Sequence, residues 1–67
     1  MEKKVEALYK IREQRELHNL SQKDLAEKSG VARSLINQLE TGKITSTSTT
    51  TLRKLALALG CEIGDLI

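Results

Sequence analysis

Ser21-Gln22-Lys23-Asp24-Leu25-Ala26-Glu27-Lys28-Ser29-Gly30-Val31 has the form of a helix, a tight turn and the entry to a second helix. Ser21 with Asp24 resembles a capping box in which aspartate stands for the usual Glu or Gln. Leu25 and Ala26 are the inward residues of a helix over 22–29. Gly30 terminates it, since glycine takes the left-handed conformation that closes many helices. Only Val31 and Ala32 remain before a new helical pattern, over 33–41, with Ile36 and Leu39 inward and Gly42 as its stop. Helices joined so briefly meet at a steep angle, and small Ala26 permits their close approach. Ala32 lacks a hydroxyl at the N-cap, a shortfall of about 1 kcal/mol.

Two charged residues flank this unit at positions that call for apolar ones. Arg15 continues the stripe of Leu8 and Ile11, and Glu40 continues that of Ile36 and Leu39, so both should point inward from helices. A charge buried alone is costly; the economical arrangement is an Arg15 to Glu40 ion pair fastening two separate helices.

The first of these helices is predicted over 4–18, with Val5, Leu8, Ile11 and Arg15 on one face and Lys10, Arg12, Glu13 and Glu16 on the wet side. Asn19, tolerant of the left-handed conformation, follows it, and Leu20 re-enters the core. The run Ile44-Thr45-Ser46-Thr47-Ser48-Thr49-Thr50-Thr51 reads as a polar loop whose last Ser or Thr caps a fourth helix over 49–59. Leu52, Leu55, Ala56 and Leu59 face inward there, and Gly60 ends it. Ile63, Leu66 and Ile67 begin a fifth helix over 63–67. The expected fold is all-α: one domain, 1–67, of five short helices.

A chain of 67 residues holds one domain with only a few kcal/mol of stability and no room for a conventional enzyme fold. Its 30% of charged residues and well-spread aliphatics fit a folded protein. The formal charge of +2 is too small to indicate a nucleic-acid partner, so that argument rests on where the basic residues lie. Cys61 is the only cysteine, which rules out an internal disulfide and points to a reducing cytoplasm and a small buried apolar role. No apolar run approaches the roughly 20 residues of a membrane span. His18 stands alone, no metal-spaced cluster or phosphate-cradling glycine loop exists, and neither cofactor nor small-molecule ligand is expected.

Leu20 to Ala26, Gly30-Val31, Ile36, Leu39-Glu40, Gly42-Lys43 and Leu52-Arg53-Lys54-Leu55-Ala56 through Leu59-Gly60 together resemble the phage repressor and Cro family, the XRE-type helix-turn-helix regulators. The resemblance runs from Leu8 to Leu66 without gaps, and Arg15 and Glu40 fall where this family commonly carries an interhelical salt bridge. It implies a compact lambda-repressor-like domain that binds double-stranded DNA, its third helix entering the major groove. Carried over residue by residue, the base contacts would be Arg33, Ser34, Asn37 and Gln38. These four are polar, lie opposite Ile36 and Leu39, and have the right chemistry: Arg33 for guanine O6 and N7, Asn37 or Gln38 for adenine N6 and N7. A solvated helix face has the same polarity; the turn and the Arg15 to Glu40 pair tip the balance toward readout. Phosphate contacts would come from Gln22, Lys23, Lys43, Thr45 and Ser46, with Arg12 a weaker candidate.

The resemblance further implies a bacterial or phage-encoded repressor, or an activator, working as a homodimer on a palindromic operator in the cytoplasm, associated with the nucleoid. Cys61, Ile63, Leu66 and Ile67 are the candidate seam, or else they close the monomer's own core. The rival reading is a protein-interaction module on the same fold, such as an antitoxin or partner-binding subunit, which low net charge and an unusual Leu35 leave open; an enzyme is remote. Leu35 is expected to pack on the following loop or touch a thymine methyl. Gln14 replaces a commonly apolar residue, and Leu17 takes up some of that burial. The Ser/Thr tract lacks the family's proline and acidic residue. Residues 1–7 lengthen the first helix or lie over DNA as a basic arm through Lys3 and Lys4.

Overall fold

Hydroxyls open two of the described helices and glycines close three. A computed structural model describes residues 9–67, and among these the helices are α1 (Ile11–Leu17), α2 (Gln22–Ser29), α3 (Arg33–Thr41), α4 (Thr49–Leu59) and α5 (Ile63–Leu66). At α2 the Ser21 hydroxyl accepts the Asp24 amide at 3.0 Å, and the Asp24 carboxylate accepts the Ser21 amide at 3.1 Å. At α4 the last serine of the polar tract, Ser48, accepts the Thr51 amide at 3.1 Å. Ala32 at the head of α3 makes no such bond. Gly30 and Gly42 both sit at positive φ, +78° and +80°, where a side chain would be strained. Between α2 and α3 the Ser29 hydroxyl accepts the Val31 amide, so the short turn satisfies its own backbone.

The first helix is shorter than its sequence pattern. Tyr9 and Lys10 are not helical, so the 4–18 span is corrected at Ile11. The reason is tertiary: the Lys10 amide donates to the Leu66 carbonyl at the far end of the chain, and Tyr9 packs against the core. Residues 4–8, with Val5 and Leu8, and the arm with Lys3 and Lys4 lie outside the described residues. At the other end Asn19 takes a φ of +56°, as its side chain allows. Leu17 is 73% exposed, so it does not supply the burial expected of it. The fifth helix ends at Leu66, one residue short of the expected 63–67.

α2 packs on α3 and α4, α1 on α3 and α4, and α5 on α4. Ile11, Leu25, Ile36, Leu39, Leu55 and Leu66 are fully enclosed, one or more from every helix. Each such side chain contributes about 1.5–3 kcal/mol by leaving water. Ile36 and Leu39 thus hold the back of α3, and Leu35 packs half-buried against the same core. No helix among the described residues is long and apolar enough to cross a membrane.

Candidate nucleic-acid interface

Helical spacing divides α3 into an enclosed rear and an open front. Arg33, Ser34 and Asn37 are exposed on the front and Gln38 is half-buried at its edge. The Gln38 carbonyl accepts the Ile44 amide at 3.2 Å, and Ile44 packs on the core. That bond folds the chain back after Gly42, leaving Lys43, Thr45 and Ser46 exposed just beyond the C-terminal end of α3. At the opposite rim Lys23 is exposed and Gln22 half-buried, both in the first turn of α2. The first amides of a helix, with its dipole behind them, favour an anion there. Lys23, Arg33 and Lys43 enter no salt bridge among the described residues, so three cations are unspent around the front of α3. Arg12 differs, its guanidinium lying 3.2 Å from Glu16 on α1.

Behind this surface the two inward charges meet. Arg15 donates from Nε to Glu40 Oε2 at 2.8 Å and from Nη2 to Oε1 at 3.0 Å, a two-pronged pair joining α1 to α3. Its remaining prong, Nη1, donates to the Leu20 carbonyl at 2.8 Å. The side chains are only 13% and 3% exposed. Hydrogen bonding to Glu40 raises the Arg15 pKa further above its already high ordinary value, outweighing desolvation. No buried side-chain nitrogen or oxygen among the described residues lacks a partner.

The amide of Gln22 joins this network, which spacing did not foretell. Its Nε2 donates to Glu40 Oε1 at 3.1 Å and to Asn37 Oδ1 at 3.3 Å. A residue read as a phosphate contact therefore also touches one read as a base contact. No periodicity links the first turn of α2 to the middle of α3; the only available signal was the steep crossing, which brings those two points together.

At the other end of the molecule Leu66 is wholly enclosed by the protein's own core, which removes it from the candidate seam with Cys61, Ile63 and Ile67. Cys61 and Ile63 are half-buried against that core, whereas Ile67 and Leu57, a residue the apolar pattern passed over, stand 64% and 76% exposed. Burial first, then Asp65 and Glu62, pushes the Cys61 thiol above its ordinary pKa, the direction opposite to that which activates a cysteine. Among the described residues no cluster of His, Cys, Asp and Glu is arranged to hold a metal ion.

A family model described as helix-turn-helix matches residues 11–66. Comparison with curated proteins gives no match. Among solved structures the chain is similar to the restriction-modification controller protein C.AhdI from Aeromonas hydrophila, with 38% identity and a TM-score of 0.80 over 87% of this chain and 86% of that one.

Proposed function

Since the chain belongs to the helix-turn-helix family of sequence-specific DNA-binding transcription regulators, we propose that it reads its site with Arg33, Ser34, Asn37 and Gln38 of α3 in the major groove. The observation that carries this reading is the division of α3: Ile36 and Leu39 are fully buried and Glu40 is locked to Arg15, while Arg33, Ser34 and Asn37 stand clear. A helix held from behind presents its front residues on a backbone already ordered, so that only their side chains lose freedom at the moment of binding. Lys23 and the α2 amides on one rim, with Lys43, Thr45 and Ser46 on the other, would grip the phosphates either side of the groove.

One such domain makes too few contacts for tight binding, so the operator is expected to be a palindrome occupied by two copies, their α3 helices about 34 Å apart. Exposed Ile67 and Leu57, with half-buried Cys61 and Ile63 nearby in sequence, are the surface offered to the second copy. The likeness to C.AhdI makes control of a restriction-modification operon the particular role to examine first. Selecting sites from a random oligonucleotide pool and titrating the product by fluorescence anisotropy at two salt concentrations tests all of this. The expected outcome is a palindrome with half-sites about one helical turn apart, and an affinity that falls steeply as salt rises. Absence of binding at low salt, or binding with no salt slope, overturns the reading.

A further inference from the structure

We propose that Gln22 fixes which way round Asn37 offers its amide to DNA, so that Asn37 presents its NH2 as a donor to acceptor atoms on a base edge. The inference deepens the reading of α3 given above and rests on it. It starts from Glu40, whose carboxylate is held by Arg15 and can only accept. A side-chain amide facing a carboxylate must turn its NH2 toward it, so the Gln22 atom 3.1 Å from Glu40 Oε1 is Nε2. The second hydrogen of that NH2 reaches Asn37, 3.3 Å away, and a donor requires an acceptor. Asn37 therefore meets Gln22 with Oδ1 and turns Nδ2 away from it. The two orientations of an amide are otherwise nearly equivalent; here the choice is relayed from Arg15 through Glu40 and Gln22 to an exposed residue on the front of α3.

Two consequences follow for recognition. Asn37 addresses the groove with donors, suited to purine N7, guanine O6 or thymine O4, and not with the paired donor and acceptor that embrace adenine N6 and N7. Gln22 has both amide hydrogens engaged, so its side chain has no donor left for a phosphate. Gln22 is thus a positioning residue for Asn37, and anion binding at that rim belongs to Lys23 and the backbone amides of α2.

The test uses the duplex recovered by site selection and base analogues that each delete one edge group. The base pair Asn37 reads is the one whose identity ceases to matter in Asn37→Ala. At that pair, replacing the purine by its 7-deaza analogue or otherwise removing an acceptor is expected to weaken binding about tenfold, whereas removing an amino group changes nothing. Gln22→Met, its fold verified by circular dichroism, frees Asn37 to turn; the acceptor penalty then shrinks to about twofold while the salt slope holds. Asn37→Asp, an acceptor only, should invert the pattern, so that deleting an amino group becomes the costly change. A wild-type penalty for losing an amino group overturns the proposal. So does a Gln22→Met protein that keeps the acceptor penalty, whatever its salt slope; a loss of about one unit of slope alongside would make Gln22 a phosphate ligand. A wild-type protein that binds no duplex overturns this proposal and the reading of α3 together.

Discussion

Two arginine to glutamate pairs leave the same helix less than one turn apart and do opposite things. Arg12 and Glu16 lie four residues apart within α1, 3.2 Å between Nε and Oε2, with side chains 68% and 59% exposed. Arg15 and Glu40 join α1 to α3 with the same atoms at 2.8 Å and side chains 13% and 3% exposed. The chemistry is identical and the setting is not. In water each charge of the first pair is well solvated with or without its partner, so the bond changes little. Out of water each charge of the second pair depends on the other, and the rear of α3 is held in place by that dependence. The lesson is that an ion pair stabilises according to what its members would face alone.

The largest effect should come from leaving one member of the inner pair alone. Arg15→Leu strands the Glu40 carboxylate beside an apolar side chain and is expected to cost about 3–5 kcal/mol in urea unfolding. Replacing Glu40 by Leu as well should recover much of this, though not all, because Gln22 loses an acceptor and the Leu20 carbonyl loses a donor in the double variant. Equal losses in the single and double variants would break the comparison, since the inner pair would then behave as ordinary packing.

The inner pair was legible because two charges sat on apolar stripes and pairing them was the economical way to satisfy both. The boundaries of α2, α3 and α4 were legible for a local reason too: Ser21, Gly30, Gly42, Ser48 and Gly60 act on their own backbone or on residues within one turn of it. Where the deciding contact is remote, the sequence was silent. Nothing at Tyr9 or Lys10 breaks a helix; the Leu66 carbonyl takes the amide that would have continued it. Leu66 is a candidate for a seam on the ground that a helix this short cannot hide its apolar side chains alone, yet packing of α5 on α4 encloses it completely. The front of α3 was legible as polar and outward, but the amide bridge from Gln22 to Asn37 was not, because it depends on how α2 crosses α3.

A carboxylate that is exposed yet bonded to fixed backbone sharpens the comparison from its middle. Asp24 is fully exposed, but its partner is the Ser21 amide, already in place, and not a flexible side chain. That amide first, and the Ser21 hydroxyl second, hold its carboxyl below the ordinary aspartate range. A lowered folded-state pKa means the charged form favours the folded chain. The contribution is therefore complete above the ordinary aspartate pKa, about 3.9, and is lost as pH falls through it toward the lower folded value. Ser21→Ala should cost about 1 kcal/mol at neutral pH. In Asp24→Asn the corresponding part of the acid-induced loss should be missing when urea midpoints are followed downward in pH. An unchanged acid profile would mean that order in the partner counts for nothing without burial.

The smallest effect is assigned to the outer pair. Arg12 precedes Glu16, the less favourable order along a helix, since a negative charge is better placed toward the N-terminus and a positive one toward the C-terminus. Both side chains give up freedom to meet, and physiological salt screens what remains. Arg12→Ala also puts a better helix former into α1, which offsets part of any loss. A double-mutant cycle through Arg12→Ala and Glu16→Ala is expected to return a coupling of no more than about 0.5 kcal/mol, shrinking further as salt is added. A coupling above about 1 kcal/mol would exceed what exposed pairs supply; removal from water would then not be what separates Arg15–Glu40 from its neighbour.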